Sequence, residues 1–359
     1  MPRFQQEIRF ARTAAGPRLA YALSGEGYPL VRAPHWLTHV EWDWQTPVWG
    51  PWLEALSRRW RLLRFDAAGT GLSDAAAATP SLDDLVADLE AVVDAAGFER
   101  FALLGMSQGA ATSIRYAARH PERVSHLVLF GAFVRGTLVR APGAESARLV
   151  DALCQLVESG WGQQNAAYRQ FFTTQFFPAA TLEQTRSFND LELLSATPTR
   201  AAQLVRAFAG IDAVDDLARV QCPTLVLHKR ADARIPFEEG RFVAAGIAGA
   251  RFEPLDGPNH LPLSGDPAFE HALGLMNDFL PQQGRGAPRL NGLSPGDAEL
   301  LELLARGLDN AQIAARLGRA EKTVRNRVSA LFEHLGVESR AQAIVRGRDA
   351  GFGTAGPRD

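Results

Sequence analysis

Apolar positions along this chain follow two periods in turn. Short apolar runs at residues 30–33, 62–66, 101–104, 124–130, 224–228 and 252–255 predict buried strands, and the stretches between them carry apolar residues at helical spacing. The clearest helix covers 82–96, where Ser81 stands at the cap and Leu85, Val86, Leu89, Val92 and Val93 share one face. Further helices are predicted at 49–58, 110–120, 237–244 and 269–280, and a strand pair over 5–27 folds about the break Ala14-Ala15-Gly16-Pro17. Strands that alternate with helices bury both faces of their sheet, so the pattern implies an α/β class with a parallel, doubly wound sheet.

The alternation stops over residues 134–217. Helical patterns rich in Phe and Gln take over, as in Tyr168-Arg169-Gln170-Phe171-Phe172-Thr173-Thr174-Gln175-Phe176-Phe177, and predict a helical insertion. After the closing helix, Pro281-Gln282-Gln283-Gly284-Arg285-Gly286-Ala287-Pro288 has no apolar period and has linker chemistry. The expected domains are 1–283 with its insertion at about 134–217, a linker over 284–292, and a small all-helical domain over 293–350. In the last of these Ser294 caps a helix at 295–306 that Gly307 stops, Asn310 caps a second at 311–317, and Gly318-Arg319-Ala320 turns into a third at 321–335.

Composition narrows the class. A chain of 359 residues with 46% hydrophobic content holds two cores of unequal size. No stretch approaches the ~18 to 20 consecutive apolar residues of a membrane span and no apolar signal segment follows Met1, so a cytoplasmic protein with no membrane partner is expected. Cys154 and Cys222 stand in no metal-ligand spacing; neither a disulfide framework, a metal nor a cofactor is expected. Residues 285–359 carry 12 basic and 9 acidic residues against 26 and 31 in the remainder, which suits a nucleic-acid contact confined to the tail.

Candidate chemistry sits at Gly105-Met106-Ser107-Gln108-Gly109, between a predicted strand and a predicted helix. Small residues on both sides of Ser107 permit a strained turn that projects its hydroxyl above the sheet. His260 follows the strand at 252–255 and would take the Ser107 proton, while Asp232 follows the strand at 224–228 and would hold the imidazole in the required tautomer. His228 reads as a strand-end core or pocket residue, and Asp256, four residues from His260, as a weaker acid candidate. An oxyanion would meet the backbone amide of Gln108 and a second amide from the loop after residues 30–33, at Trp36 or its neighbour. Five of the seven Trp lie between positions 36 and 52, an aromatic wall that favours an aromatic or acyl ligand. His35, Trp36 and Met106 are the candidate pocket residues.

At these residues the chain resembles the α/β-hydrolase superfamily over 1–283, down to Phe65-Asp66-Ala67-Ala68-Gly69-Thr70-Gly71-Leu72-Ser73-Asp74, which is similar to the family's Asp-x-Arg-Gly-x-Gly-x-Ser turn. Ala68 replaces the Arg of that pattern, and Ala33-Pro34-His35-Trp36 replaces the usual His-Gly pair. The resemblance implies an α/β-hydrolase doubly wound sheet with a helical cap, and serine hydrolase activity through Ser107, Asp232 and His260. Related triads also serve lyase and cofactor-free oxygenase chemistry, and similar segments occur as sensor domains fused to regulatory domains.

Residues 290–350 resemble the LuxR-type helix-turn-helix domain. Val324, Val328, Leu331 and Leu335 repeat at helical spacing and face the core, so Lys322, Arg325, Asn326 and Ser329 face outward. Arg and Asn suit the edges of guanine and adenine in the major groove, while Lys322, Thr323 and Arg327 suit phosphates. Ala320 stands where the family usually has a capping Ser or Thr, and Gly296-Asp297 replaces a usual Arg-Glu. The resemblance implies a double-stranded DNA operator as partner and a homodimer formed through the helix at 340–348. The function expected is a transcriptional regulator sensing a small ligand; the alternatives are an active esterase or lactonase with a DNA-tethering tail, and a receptor without turnover.

Overall fold

The computed structural model describes residues 6–281, 293–335, 337, 339–349 and 352–353. The chain divides into two compact units, 1–282 and 283–359. The predicted linker at 284–292 lies outside the described residues.

The first unit is built on β1 (Gln6–Arg12), β2 (Arg18–Ser24), β3 (Tyr28–Arg32), β4 (Trp60–Phe65), β5 (Phe101–Met106), β6 (Val124–Phe130), β7 (Thr224–Lys229) and β8 (Arg251–Leu255). They form one sheet in the order β1-β2-β4-β3-β5-β6-β7-β8. From β4 to β8 neighbours run parallel, while β1 pairs antiparallel with β2 and β2 with β4. The sheet is therefore mixed at one edge, because a short hairpin connection can only return antiparallel. Every residue of central β5 is buried, whereas edge strand β1 has one fully buried position.

Helices α1 (Gly50–Ser57), α2 (Leu82–Ala95), α3 (Gln108–Arg119) and α9 (Phe237–Gly246) connect strands of this sheet, and α10 (Pro267–Phe279) follows its last strand. Ser81 caps α2 in a capping box with Asp84, and Val86, Leu89, Val92 and Val93 are buried on the face the periodicity indicates. Between β6 and β7 lie α4 (Thr137–Arg140), α5 (Ala144–Gly160), α6 (Ala167–Phe176), α7 (Leu182–Ser195) and α8 (Pro198–Ala209), which make the cap. Its interior is held by polar anchors as well as packing. Buried Arg169 donates to the carbonyls of Trp161 (2.6 Å), Gln163 (2.9 Å) and Asn189 (3.1 Å), and Trp161 Nε1 donates to those of Glu192 and Ala196.

Two features of the sheet position the loops above it. Arg32 and Arg64, opposite each other in β3 and β4, both donate to buried Asp43, Arg32 Nη2 at 3.1 Å and Arg64 Nη1 at 3.4 Å. Burial pushes both guanidinium pKa values down, against the attraction of Asp43, and Arg64 falls to about 10. Asp66 meanwhile accepts the amides of Val40 and Leu72, so the Trp-rich loop is tied at Val40 to the turn that follows β4.

The cation absent at Ala68 is supplied from elsewhere. Arg200 of α8 donates to the carbonyls of Ala68 (2.6 Å) and Ala78 (2.8 Å), which fastens the cap to that turn. Beneath it Asp88 donates nothing but accepts from Ala68 N, and burial raises its pKa from 3.8 to about 6 against that hydrogen bond and the pull of Arg200. Between these values the folded protein binds more protons than the unfolded one, so stability falls as pH rises from about 4 to 6. Asp88→Asn is expected to remove this slope and to stabilise the unit by roughly 2 kcal/mol at pH 8. Urea midpoints of both proteins at pH 4 and pH 8 check it; equal pH slopes would overturn it.

The second unit contains α11 (Pro295–Ala305), α12 (Asn310–Leu317), α13 (Glu321–Leu335) and α14 (Arg340–Asp349) around Leu300, Leu304, Ile313, Val324, Val328, Leu331 and Leu335. Ser294 caps α11 as the sequence predicts. The cap of α12 is Asp309, not Asn310: Asp309 forms a capping box with Gln312, and Asn310 instead accepts from Arg340 Nη1 at 2.9 Å. Both residues suit an N-cap, and the choice falls to the one whose partner three residues on is Gln.

Candidate functional site

Ser107 ends β5 and begins α3, with φ 53° and ψ −122°; it is the one non-glycine residue with positive φ among the described residues. Such strain at a strand-to-helix turn persists only where the surroundings impose it. A Cβ on Gly105 would stand 2.6 Å from Ser113 Oγ, and one on Gly109 would stand 2.6 Å from the carbonyl oxygen of Pro34. The second contact brings the loop after β3, with Pro34, His35 and Trp36, against the start of α3 beside Gln108.

Asp232 and His260 converge from the loops after β7 and β8. His260 Nδ1 lies 2.6 Å from Asp232 Oδ2, while Asp232 Oδ1 accepts the amides of Arg234 (2.8 Å) and Ile235 (2.9 Å). Burial would raise the Asp232 pKa, but the charge and hydrogen bond of His260, with the Ile235 amide and His228, hold it below the ordinary carboxylate value. His228 turns its Nε2 to the Ile235 carbonyl at 3.1 Å and lies 3.4 Å from Asp232 Oδ2, so it buttresses the acid. Asp256 is 98% exposed and pairs with Arg230, which removes it as an alternative acid.

Ser107 Oγ and His260 Nε2 are both buried and neither makes a hydrogen bond to the protein, so the Ser–His bond is not formed in this arrangement. Serine–base contacts are often loose without substrate and tighten around it. Room for the imidazole comes from Gly131 at the end of β6, where a Cβ would meet His260 Cε1 at 2.6 Å. Sequence reasoning missed this glycine; its one signal was its place at the end of a predicted strand.

The cap closes over the site. The Trp36 ring packs within 6.3 Å of the rings of Trp161, Phe172, Phe176 and Phe208. His260 N donates to Phe176 O at 2.7 Å, and Ala179 N to Asn259 Oδ1 at 2.9 Å, so the end of α6 is fastened to the histidine loop. A cavity of about 220 Å³ remains, bounded by Trp36, Gln108, Phe133, Phe208 and Ile235, and its polar lining includes Arg140 and Arg234. His35 faces a separate void of about 10 Å³ and stacks on Trp49, and burial drives its pKa well below the ordinary histidine value, with Arg32 and His260 adding to the effect. Met106 is fully buried in β5 and lines neither space, because side chains alternate along a strand and its own points into the core.

The comparisons with known proteins fall on this geometry. The family model for the alpha/beta hydrolase fold matches residues 42–235.

The chain belongs to the α/β-hydrolase family.

The family model for bacterial regulatory proteins of the luxR family matches residues 291–346, so the α/β-hydrolase-fold unit is fused to a LuxR-type helix-turn-helix domain. The chain is 26% identical over 267 residues to pyrrolizixenacetamide deacetylase of Xenorhabdus hominickii, covering 73% of this chain and 94% of that protein. It is 27% identical over 241 residues to the AB hydrolase superfamily protein YisY of Bacillus subtilis, covering 66% of this chain and 86% of that protein. An esterase structure from Exiguobacterium antarcticum superposes with a TM-score of 0.65 at 22% identity, covering 76% of this chain and 99% of the esterase, which shows the fold.

In the helix-turn-helix domain, Lys322, Thr323, Arg325, Asn326 and Ser329 of α13 are exposed, while Val324, Val328, Leu331 and Leu335 are buried. Arg325 pairs with Glu321 at 3.1 Å across one exposed helical turn, a bond weak enough to exchange for a base. Arg327, expected from the sequence at a phosphate, is half-buried and donates to Asp297 at 2.9 Å. Asp297 is the departure from the family pattern noted above, and the pair it makes joins α13 to α11. No helix among the described residues is long and apolar enough to cross a membrane.

Proposed function

We propose that this protein is a cytoplasmic transcriptional regulator whose hydrolase unit takes up a small aromatic or acyl ligand and whose helix-turn-helix unit binds DNA as a homodimer. The observation that carries the reading is the capped cavity beside the Ser107 turn, on the same chain as a LuxR-type domain with an open polar recognition face. Ser107 is only 2% exposed, so a ligand reaches its hydroxyl only if the cap moves, and a ligand that favours one cap position shifts the protein between arrangements. One backbone hydrogen bond and one to a side chain tie the His260 loop to the end of α6 and the residues after it, so the two should move together.

A second reading has its own support. Ser107 on a strained turn, with Asp232 and His260 already paired, is the constellation of a serine hydrolase, which favours turnover of the ligand as an ester or lactone. Gln108 and Trp36 would then supply the oxyanion amides.

Gel-shift titration of an operator selected from random DNA, with and without aryl and acyl esters and the corresponding free acids, tests the regulator reading; ligand should move affinity by about 1 to 3 kcal/mol. Arg325→Ala should cost about 1 to 3 kcal/mol and relax preference at one base pair, whereas Lys322→Ala should weaken matched and mismatched operators alike. Operator affinity that neither the esters nor the free acids shift would leave the tethered enzyme as the better account. Equal losses on all sequences for Arg325→Ala would demote that residue to a phosphate contact.

A further inference from the structure

The lining of the 220 Å³ cavity is asymmetric in charge. Arg140 from α4 and Arg234 from the loop after β7 both reach it, with Thr137 and Gln175 as further polar groups, and no Asp or Glu lines it. Among the described residues neither guanidinium has a carboxylate within salt-bridge distance. Buried guanidinium groups elsewhere in the unit are satisfied either by an acid, as Arg32 and Arg64 are by Asp43, or by several carbonyls, as Arg169 is by those of Trp161, Gln163 and Asn189. Arg140 Nη1 donates to the Arg135 carbonyl at 3.3 Å, and the Arg234 guanidinium lies 5.6 Å from the Phe176 ring centroid, the ring that packs on His260.

Two partly desolvated cations that face one space repel each other, and removal from water is costly without a counter-charge. Burial lowers the pKa of Arg234, the proximity of Arg140 lowers it further, and Asp232 opposes both. A site built this way is completed by an anion. Its buried walls, among them Trp36, Phe133, Val150, Phe208 and Ile235, disfavour a highly hydrated ion such as free phosphate and admit an apolar body. A cavity of about 150 Å³ accommodates benzene. The present space therefore holds a ring or short acyl chain with one acid group attached.

We propose that the ligand of the hydrolase unit is a small amphipathic carboxylate, its aryl or acyl body against Trp36 and Phe208 and its carboxylate between Arg140 and Arg234. This rests on the reading that the capped cavity is the ligand site, and adds the chemical class of its occupant. A guanidinium matches a carboxylate through paired N–H donors, so Arg234 acts as a specificity-determining residue through geometry as well as charge.

The test uses the full-length protein and two matched probe series: phenylacetate, 3-phenylpropanoate and 4-phenylbutanoate, against their primary amides. Calorimetry at pH 7.5 should find at least one carboxylate bound at least tenfold more tightly than its amide. Arg234→Gln and Arg140→Gln should each reduce that ratio toward one by weakening the carboxylate while leaving the amide unchanged, and Arg234→Lys should recover part of it. Amides that bind as well as carboxylates to the wild type, with Trp36→Ala weakening both, would overturn the carboxylate assignment and leave the cavity as the ligand site. Absence of binding by every member of both series, or binding unaffected by Trp36→Ala, would overturn the assignment together with the site reading. A carboxylate preference that survives in the Arg140→Gln, Arg234→Gln double variant also overturns it.

Discussion

Ser107→Ala is expected to lower turnover of activated aryl esters by about 10⁴-fold or more while the unfolding midpoint stays at the wild-type value, since only the nucleophilic oxygen is removed. Asp232→Asn should lose a comparable factor for a reason the hydrogen bonds make explicit. Oδ1 accepts two backbone amides, from Arg234 and Ile235. An asparagine must keep its carbonyl oxygen on those donors, which turns its NH₂ toward His260 Nδ1 and forces that nitrogen to accept. The imidazole proton then sits on Nε2, the nitrogen that must take the serine proton, and a loss of about 10⁴-fold is the scale for that error. Burst and steady-state kinetics on the purified variants measure it. Wild-type rates retained by a folded Ser107→Ala protein would remove the triad, and a wild type with no turnover on any acyl substrate would leave a pure receptor.

The largest stability change is expected at Asp43. This carboxylate is fully buried and is shared by Arg32 and Arg64, each no more than 2% exposed. Asp43→Asn leaves two guanidinium charges facing each other without their counter-ion, and breaking a buried ionic group in this way costs about 3 to 5 kcal/mol. For a unit of this size the loss corresponds to a fall in Tm of about 10 °C, read by calorimetry. Because Asp43 also accepts the amide of His39, the variant should loosen the loop that carries His35 and Trp36 and weaken ligand binding before global unfolding. A Tm within 2 °C of the wild type would contradict the anchoring role.

Much of the fold was legible because its signals are local. Apolar runs at 101–104 and 124–130, the Ser81 cap and the buried face of α2 each report on neighbours within a few residues, and the structure places a strand or helix at each. The same holds for Ser107, where two small neighbours and a strand-to-helix junction announce the turn. The misreadings came where two local solutions were nearly equal or where the partner is remote. Asp309 and Asn310 are both good caps, and only the geometry of the box with Gln312 separates them. The Arg327–Asp297 pair was not legible either, because its members lie 30 residues apart. Arg200 replaces the missing cation at Ala68 across 132 residues, which no local pattern announces.

The sequence by itself determined the two units, the order Ser107, Asp232, His260 along the sheet, and the buried and exposed faces of α13. These follow from hydrophobic period and residue size, quantities that each short segment carries whole. Tertiary structure decided which charges meet: Arg32 and Arg64 on Asp43, Arg200 on the Ala68 turn, and Arg140 with Arg234 around a space that holds no acid. Electrostatic energy depends on distance and burial in three dimensions, and residues far apart in the chain acquire both only when the sheet and cap close.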